Sequence, residues 1–192
     1  ELIKLNNMKR NTAITLVILL LILLVAALVV YVVQQRNDDR ALQQSPAASV
    51  FSNSTTSANF TDFNGNDANL DQFLGQTLIV NSWASWAPSS VAELQLLTNV
   101  AGSYRDQGVV VIAINRAEPR RTAEAFLRNL GLTNQVLLIV DADDRYYEAI
   151  GGYTMPETVI YDVKGNVLSH KRGAITAAEL TQILQQALKT SE

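Results

Sequence analysis

Leu78-Ile79-Val80-Asn81-Ser82-Trp83-Ala84-Ser85-Trp86-Ala87-Pro88-Ser89-Ser90-Val91 is the stretch that decides the fold. Its first part is a short apolar run of the kind that makes a buried strand. Its last part opens a helical pattern, with Val91, Leu94, Leu97, Val100 and Ala101 at helical spacing up to Gly108. Between them lies a short loop with two tryptophans, and Pro88 stands where a helix tolerates proline best, in its first turn.

Working outward, the same alternation continues. Val109 to Ile114 is a continuous apolar run, β-branched at all but Ala113, typical of a central parallel strand covered on both faces. Thr122 to Leu130 reads as a helix ending at Gly131, Val136 to Val140 as a strand, and Asp144 to Ile150 as a short helix. Glu157 to Asp162 and Asn166 to His170 form a hairpin about Lys164-Gly165, and Thr176 to Leu188 is a terminal helix. Upstream, Asn59 to Phe63 leads into an Asn64-Gly65 turn, and Leu70 to Gly75 is a helical turn closed by glycine. The pattern predicts an α/β three-layer sandwich with a mixed central sheet, a parallel core and one antiparallel edge.

The N-terminal part is different in kind. From Thr12 to Val33 there is no charged residue. That is about 20 residues, or about 30 Å of helix, enough to span a bilayer core. Lys9 and Arg10 precede it, so the positive-inside rule places residues 1–11 in the cytoplasm, an anchor over 12–33, and the remainder outside. Residues 34–57 are rich in Gln, Ser, Ala and Asn and read as a flexible tether, leaving 58–192 as the globular domain. A net charge of −3 with no basic stripe argues against nucleic acid as a partner.

Around the loop, several stretches resemble the TlpA/ResA-like, membrane-anchored thiol–disulfide oxidoreductases of bacteria, a branch of the thioredoxin superfamily. Trp83-Ala84-Ser85-Trp86-Ala87-Pro88-Ser89-Ser90 resembles their W-C-x-x-C loop, Leu70 to Gln76 their lead into the first central strand, and Ile112 to Glu118 the strand and loop carrying their inserted segment. Tyr153 to Asp162 resembles the stretch with their cis-proline. The resemblance implies a thioredoxin-like domain, with Pro156 as the cis-proline and Met155 offering its backbone to an extended polypeptide. It implies a binding groove made of Trp86, Ala87, Pro88, Ser89, Ser90, Met155 and Pro156, with Glu118 in the place of an acidic residue that exchanges protons with the cysteines.

Those cysteines are missing. Ala87 and Ser90 stand at the two matching positions, and the chain contains no cysteine at all. Disulfide exchange needs a thiolate and a second sulfur to resolve the mixed disulfide, so no redox catalysis is expected from the chain as written. Two functional readings stay open, beside a third in which the domain is a purely structural module with its groove unused. One is a tethered extracytoplasmic domain, periplasmic or extracellular, that binds an envelope protein through the degenerate groove. The other is an oxidoreductase whose Cys-Pro-Ser-Cys site has been changed to Ala87-Pro88-Ser89-Ser90.

Other chemistries read as structural. Ser89 and Ser90 are expected to accept backbone N–H groups at the start of their helix, and Glu118 to pair with Arg116, Arg120 or Arg121. His170, the single histidine, suggests no Ser-His-Asp arrangement. Asp141, Asp143 and Asp144 lack the glycine of a calcium loop, where Tyr146 stands, and read as a helix start. No metal and no cofactor is expected.

Overall fold

In a computed structural model of the chain, the described residues are 2–51, 60–132 and 136–190, with side chains described for all of these except 2–13, 15 and 190. They fall into two units, one reaching to Ala41 and the other beginning at Leu42.

The first unit is almost all of helix α1 (Leu2–Gln43). Its side chains from Leu16 to Val33 stay exposed all round, from 38% at Val32 to 67% at Val30. A helix apolar and exposed on every side has the surface of a membrane span. Leu16–Gln43 is long and apolar enough to cross a membrane.

The expected tether over 34–57 is corrected for its first part. The helix runs on to Gln43, and a 3-10 turn follows at Pro46–Ser49. Ala47 and Val50 are buried in the main core, and the Phe51 ring meets Tyr161 edge-on at 4.9 Å. Gln43 Nε2 donates to the Val167 carbonyl at 3.0 Å. A Gln/Ser/Ala-rich composition reads as unstructured, but the three residues Ala47, Val50 and Phe51 suffice to seat the segment on the core. Residues 52–57, and Asn59 at the expected start of the first strand, lie outside the described residues.

The second unit is a seven-stranded sheet between two helical layers. The strands are β1 (Phe60–Asp62), β2 (Asp67–Ala68), β3 (Thr77–Trp83), β4 (Val109–Arg116), β5 (Leu137–Asp141), β6 (Glu157–Tyr161) and β7 (Val167–Arg172). Their order is β2-β1-β5-β4-β3-β6-β7. β3, β4 and β5 are parallel; β6 and β7 add antiparallel on one side, β1 and β2 on the other. The sheet therefore has two antiparallel edges where one was expected.

Strand alternation sorts the core. Leu78 and Val80 face one layer, with Ile112, Ile114, Tyr161 and the Pro46–Ser49 turn. α4 (Arg145–Ala149) covers the same face through Tyr146 and Tyr147. Ile79 and Trp83 face the other layer, made of α2 (Pro88–Gly102), α3 (Arg120–Asn129) and α5 (Ala177–Thr190).

The two hairpins share one turn. In Asp62-Phe63-Asn64-Gly65-Asn66, Asp62 Oδ1 accepts the N–H of Asn64 and of Asn66, each at 2.8 Å. In Asp162-Val163-Lys164-Gly165-Asn166, Asp162 Oδ1 accepts Lys164 and Asn166 in the same way. Gly65 and Gly165 sit at φ 87° and 82°, where a side chain is strained.

Gly152 is required by contact, not by its dihedral angle. A Cβ there would come within 2.5 Å of the Tyr147 ring. That ring is fixed, since its hydroxyl donates to the Thr154 carbonyl at 2.8 Å. Gly152→Ala is expected to destabilise the domain by about 1–3 kcal/mol, the usual cost of overpacking. Urea denaturation checks this; an unchanged midpoint would mean the ring moves freely.

Candidate functional site

β3 and β4 run parallel and β6 pairs antiparallel to β3, with Ser82 opposite Glu157. The loop after β3, the loop after β4 and the segment before β6 therefore emerge at one end of the sheet. This topology brings Trp86, Ala87, Pro88, Ser89 and Ser90 to the same end as Glu118, Met155 and Pro156. The Met155–Pro156 peptide is cis, as the resemblance implies.

The two tryptophans part ways. Trp83 is fully buried and stacks on Phe126 with ring centres 5.7 Å apart. Trp86 is 63% exposed, and Tyr153, just before the cis bond, is 78% exposed.

α2 begins at Pro88, with Ala87 as its N-cap and the Ser90 N–H bonded to the Ala87 carbonyl at 3.0 Å. The expected capping role of the serines is corrected. Ser89 is exposed, and the Ser90 hydroxyl is buried with no hydrogen-bond partner among the described residues. Ser90 points inward, so its hydroxyl reaches no helix-end N–H, and Ala87 at the N-cap has no side-chain acceptor to offer.

Glu118 is also corrected. Among the described residues it pairs with no arginine: Oε2 accepts the Ser85 N–H at 2.8 Å and the Asn115 amide at 2.7 Å, while Oε1 takes the Ser85 hydroxyl. Arg116 turns away to Asp144 and lies flat on the Tyr147 ring, 3.3 Å from its centre. Arg120 reaches the Phe63 carbonyl. Glu118 thus ties the start of the loop to the end of β4, a positioning role instead of a free carboxylate.

The aspartates begin α4 as expected, though not by the nearest residue. Asp141 accepts the N–H groups of Arg145 and Tyr146 at 2.9 and 2.8 Å, and Asp144 is the left-handed residue before the helix, at φ 60°. His170 meets Glu157, not a serine.

Two carboxylates escaped the sequence reading. Glu93, one turn into α2 after Ser90, is 3% exposed. Its Oε1 accepts from Asn81 at 3.1 Å and from the Thr158 hydroxyl, and its Oε2 accepts the Ile175 N–H at 3.0 Å. Burial pushes its carboxyl above the usual glutamate range, against the pull of the Thr158 and Ile175 hydrogen bonds. The signal was there: Glu93 falls on the helix stripe of Ser90, Leu94, Leu97 and Ala101, and Asn81 interrupts a core strand. Glu157, fully buried at the start of β6, is the second.

Because the folded value of Glu93 is raised, the folded state holds its proton more tightly than the unfolded chain. Its contribution to stability is complete below about pH 4.3, the unfolded value, and is lost as pH rises through the folded value. Glu93→Gln is expected to remove that part of the pH profile, read from denaturation midpoints; an unchanged slope would place the titration elsewhere.

A parallel strand, a loop leading into a helix and a cis-proline beside it are the layout of thioredoxin-fold proteins. The chain belongs to the Redoxin family, whose profile matches residues 46–184. Among relatives, it is 27% identical over 125 residues to the thiol-disulfide oxidoreductase ResA of Geobacillus thermodenitrificans, covering 65% of this chain and 71% of the relative. It is 38% identical over 116 residues to the thiol:disulfide interchange protein DsbE of Allochromatium vinosum, covering 60% and 61%. Among solved structures, DsbF of MTB superposes with a TM-score of 0.62 at 21% identity, covering 68% of this chain and 95% of that one. A thiol:disulfide interchange protein of the DsbE type from Chlorobium tepidum gives 0.63 at 22%, covering 68% and 92%. At that identity the structures establish the fold alone.

Proposed function

We propose that this chain is a membrane-tethered, extracytoplasmic thioredoxin-like docking module. Its anchor is the apolar helix, with the N-terminus on the cytoplasmic side. Its ligand is an extended segment of an envelope protein, laid along Trp86, the Ala87–Ser90 loop and the Met155 backbone. Main-chain hydrogen bonds and shallow side-chain pockets are the usual basis of such capture. The observations that carry this reading are two aromatics left exposed on the loops at this end of the sheet, beside the cis Met155–Pro156 bond. Trp86 and Tyr153 stand 63% and 78% exposed, and the loop is held by Glu118, while the chain has no cysteine.

The test is a photoreactive residue placed at 86 or 153 in the full chain, in intact cells, with one at Gln182 on α5 as the control. Crosslinks to a polypeptide from 86 and 153 but not from 182 are expected; equal yields from all three would sink the groove. For the topology, external protease on spheroplasts should digest the globular unit, and full protection until lysis would put it in the cytoplasm.

The names of the relatives favour a second reading, an oxidoreductase with its cysteines replaced. The gene's codons at 87 and 90 separate the two.

A further inference from the structure

The segment before β6 is pinned from two sides. Glu157 Oε2 accepts the N–H of Tyr153 at 3.2 Å and of Thr154 at 3.4 Å. From α4, the Tyr147 hydroxyl holds the Thr154 carbonyl. The other oxygen of Glu157 is shared by two donors on β7, His170 Nε2 at 2.6 Å and Arg172 Nε at 3.2 Å. The carboxylate is fully buried and the His170 side chain is 4% exposed. A buried carboxylate is costly to desolvate, and a valine or threonine would make the same strand. It stands directly after the cis-proline, at the start of β6.

We propose that Glu157 and His170 are positioning residues for the loop 153–155: with His170 neutral the carboxylate holds the loop, and charging of His170 in mildly acidic medium releases it.

The bond lengths supply the mechanism. The bond to the ring is short and the two bonds to the loop are long, so the carboxylate already leans toward β7. An imidazolium draws its charge further to that side and weakens the loop bonds. The new charge also repels Arg172, two residues on along the same face of β7. The Arg172 guanidinium lies 5.5 Å from the centre of the Tyr153 ring, so its displacement disturbs the loop a second way.

The other charged groups nearby do not replace His170. α4 presents Tyr146 and Tyr147, whose hydroxyls burial pushes up, out of the acidic range. Arg116 is tied to Asp144 across Tyr147. Lys171 points to the opposite face and pairs with Glu179 at 2.8 Å. Glu93 reaches Thr158 on that same opposite face, and Asp141 caps α4; burial raises both carboxyls. Burial lowers His170 below the ordinary histidine value, so release falls below about pH 6.5. The unfolded chain then binds the proton more readily, and stability declines as pH falls through this window.

What the released loop does rests on the docking reading; its release does not. The test uses the full chain in nanodiscs, followed by NMR from pH 7.5 to 5. His170 is the only histidine, so its ring signals are unambiguous. The amides of Tyr153 and Thr154 are expected to lose protection roughly tenfold or more, with the midpoint of the ring. In His170→Gln, whose amide still donates to Glu157, this transition should vanish. Loop amides that stay protected while the ring titrates, or that titrate alike in His170→Gln, overturn the proposal. If the variant does not fold, the coincidence of midpoints in the parent decides alone. Crosslinking yield from position 86 at pH 7.5 and 5.5 tests docking apart: loop release with unchanged capture sinks the groove and leaves the positioning pair standing.

Discussion

Cysteines at both loop positions, Ala87→Cys with Ser90→Cys, are expected to turn a chain without disulfide chemistry into one that cycles between dithiol and disulfide. The two positions are three apart at the first turn of α2, closed by the Ser90 N–H bond to the Ala87 carbonyl. Side chains at that spacing lie about 5–6 Å apart between Cβ atoms, near enough for a small adjustment to reach disulfide geometry. Position 87 also lies at a helix N-terminus, where a thiol is acidified. A shift from 8.5 to 7 in its pKa would give roughly fifteenfold more thiolate at pH 7. The thiolate attacks a substrate disulfide, and the second thiol displaces the mixed disulfide, so the substrate gains two electrons and the site becomes oxidised. The parent should stay at background in an insulin-type reduction assay and the double variant should rise clearly above it. If the variant folds and its two thiols never join, the loop does not have a thioredoxin-like shape.

The second large effect concerns stability. A soluble domain that starts at residue 58 is expected to be far weaker than one that starts at Leu42. The shorter chain lacks Ala47, Val50 and Phe51, and bares the Tyr161 ring they cover. Burial of Val50 and Phe51 together contributes roughly 3–5 kcal/mol. That is a large share of the about 5–15 kcal/mol that holds an ordinary domain together. Val50→Asp in the full chain is a control that keeps the length and should act in the same direction. Equal denaturation midpoints for the two truncations would mean that the Pro46–Ser49 turn rests on the domain without supporting it.

The loop could be placed from sequence because its signals are local: an apolar run, a proline in the first turn, and apolar residues at helical spacing after it. The same holds for the anchor, where length and the absence of charge are decisive. Both hairpin turns are written in Asp-x-x-Gly-Asn, a pattern that satisfies its own backbone.

What the sequence hid is what forms between distant segments. Pro46 to Phe51 looks like tether because it lies within a longer stretch rich in Gln, Ser, Ala and Asn; only the core beside Tyr161 gives it a place. Glu118 looked free or arginine-bound because Arg116, Arg120 and Arg121 are its neighbours in the chain, yet the sheet end sets it against Ser85. Glu93 sat visibly on an apolar helix stripe, but its partners come from β3, β6 and the turn before α5. Alternation and spacing determine which face a residue shows, since they follow from the periods of strand and helix. Which partner waits on that face is decided by topology, because a buried carboxylate persists only where folding brings donors to it from several strands at once.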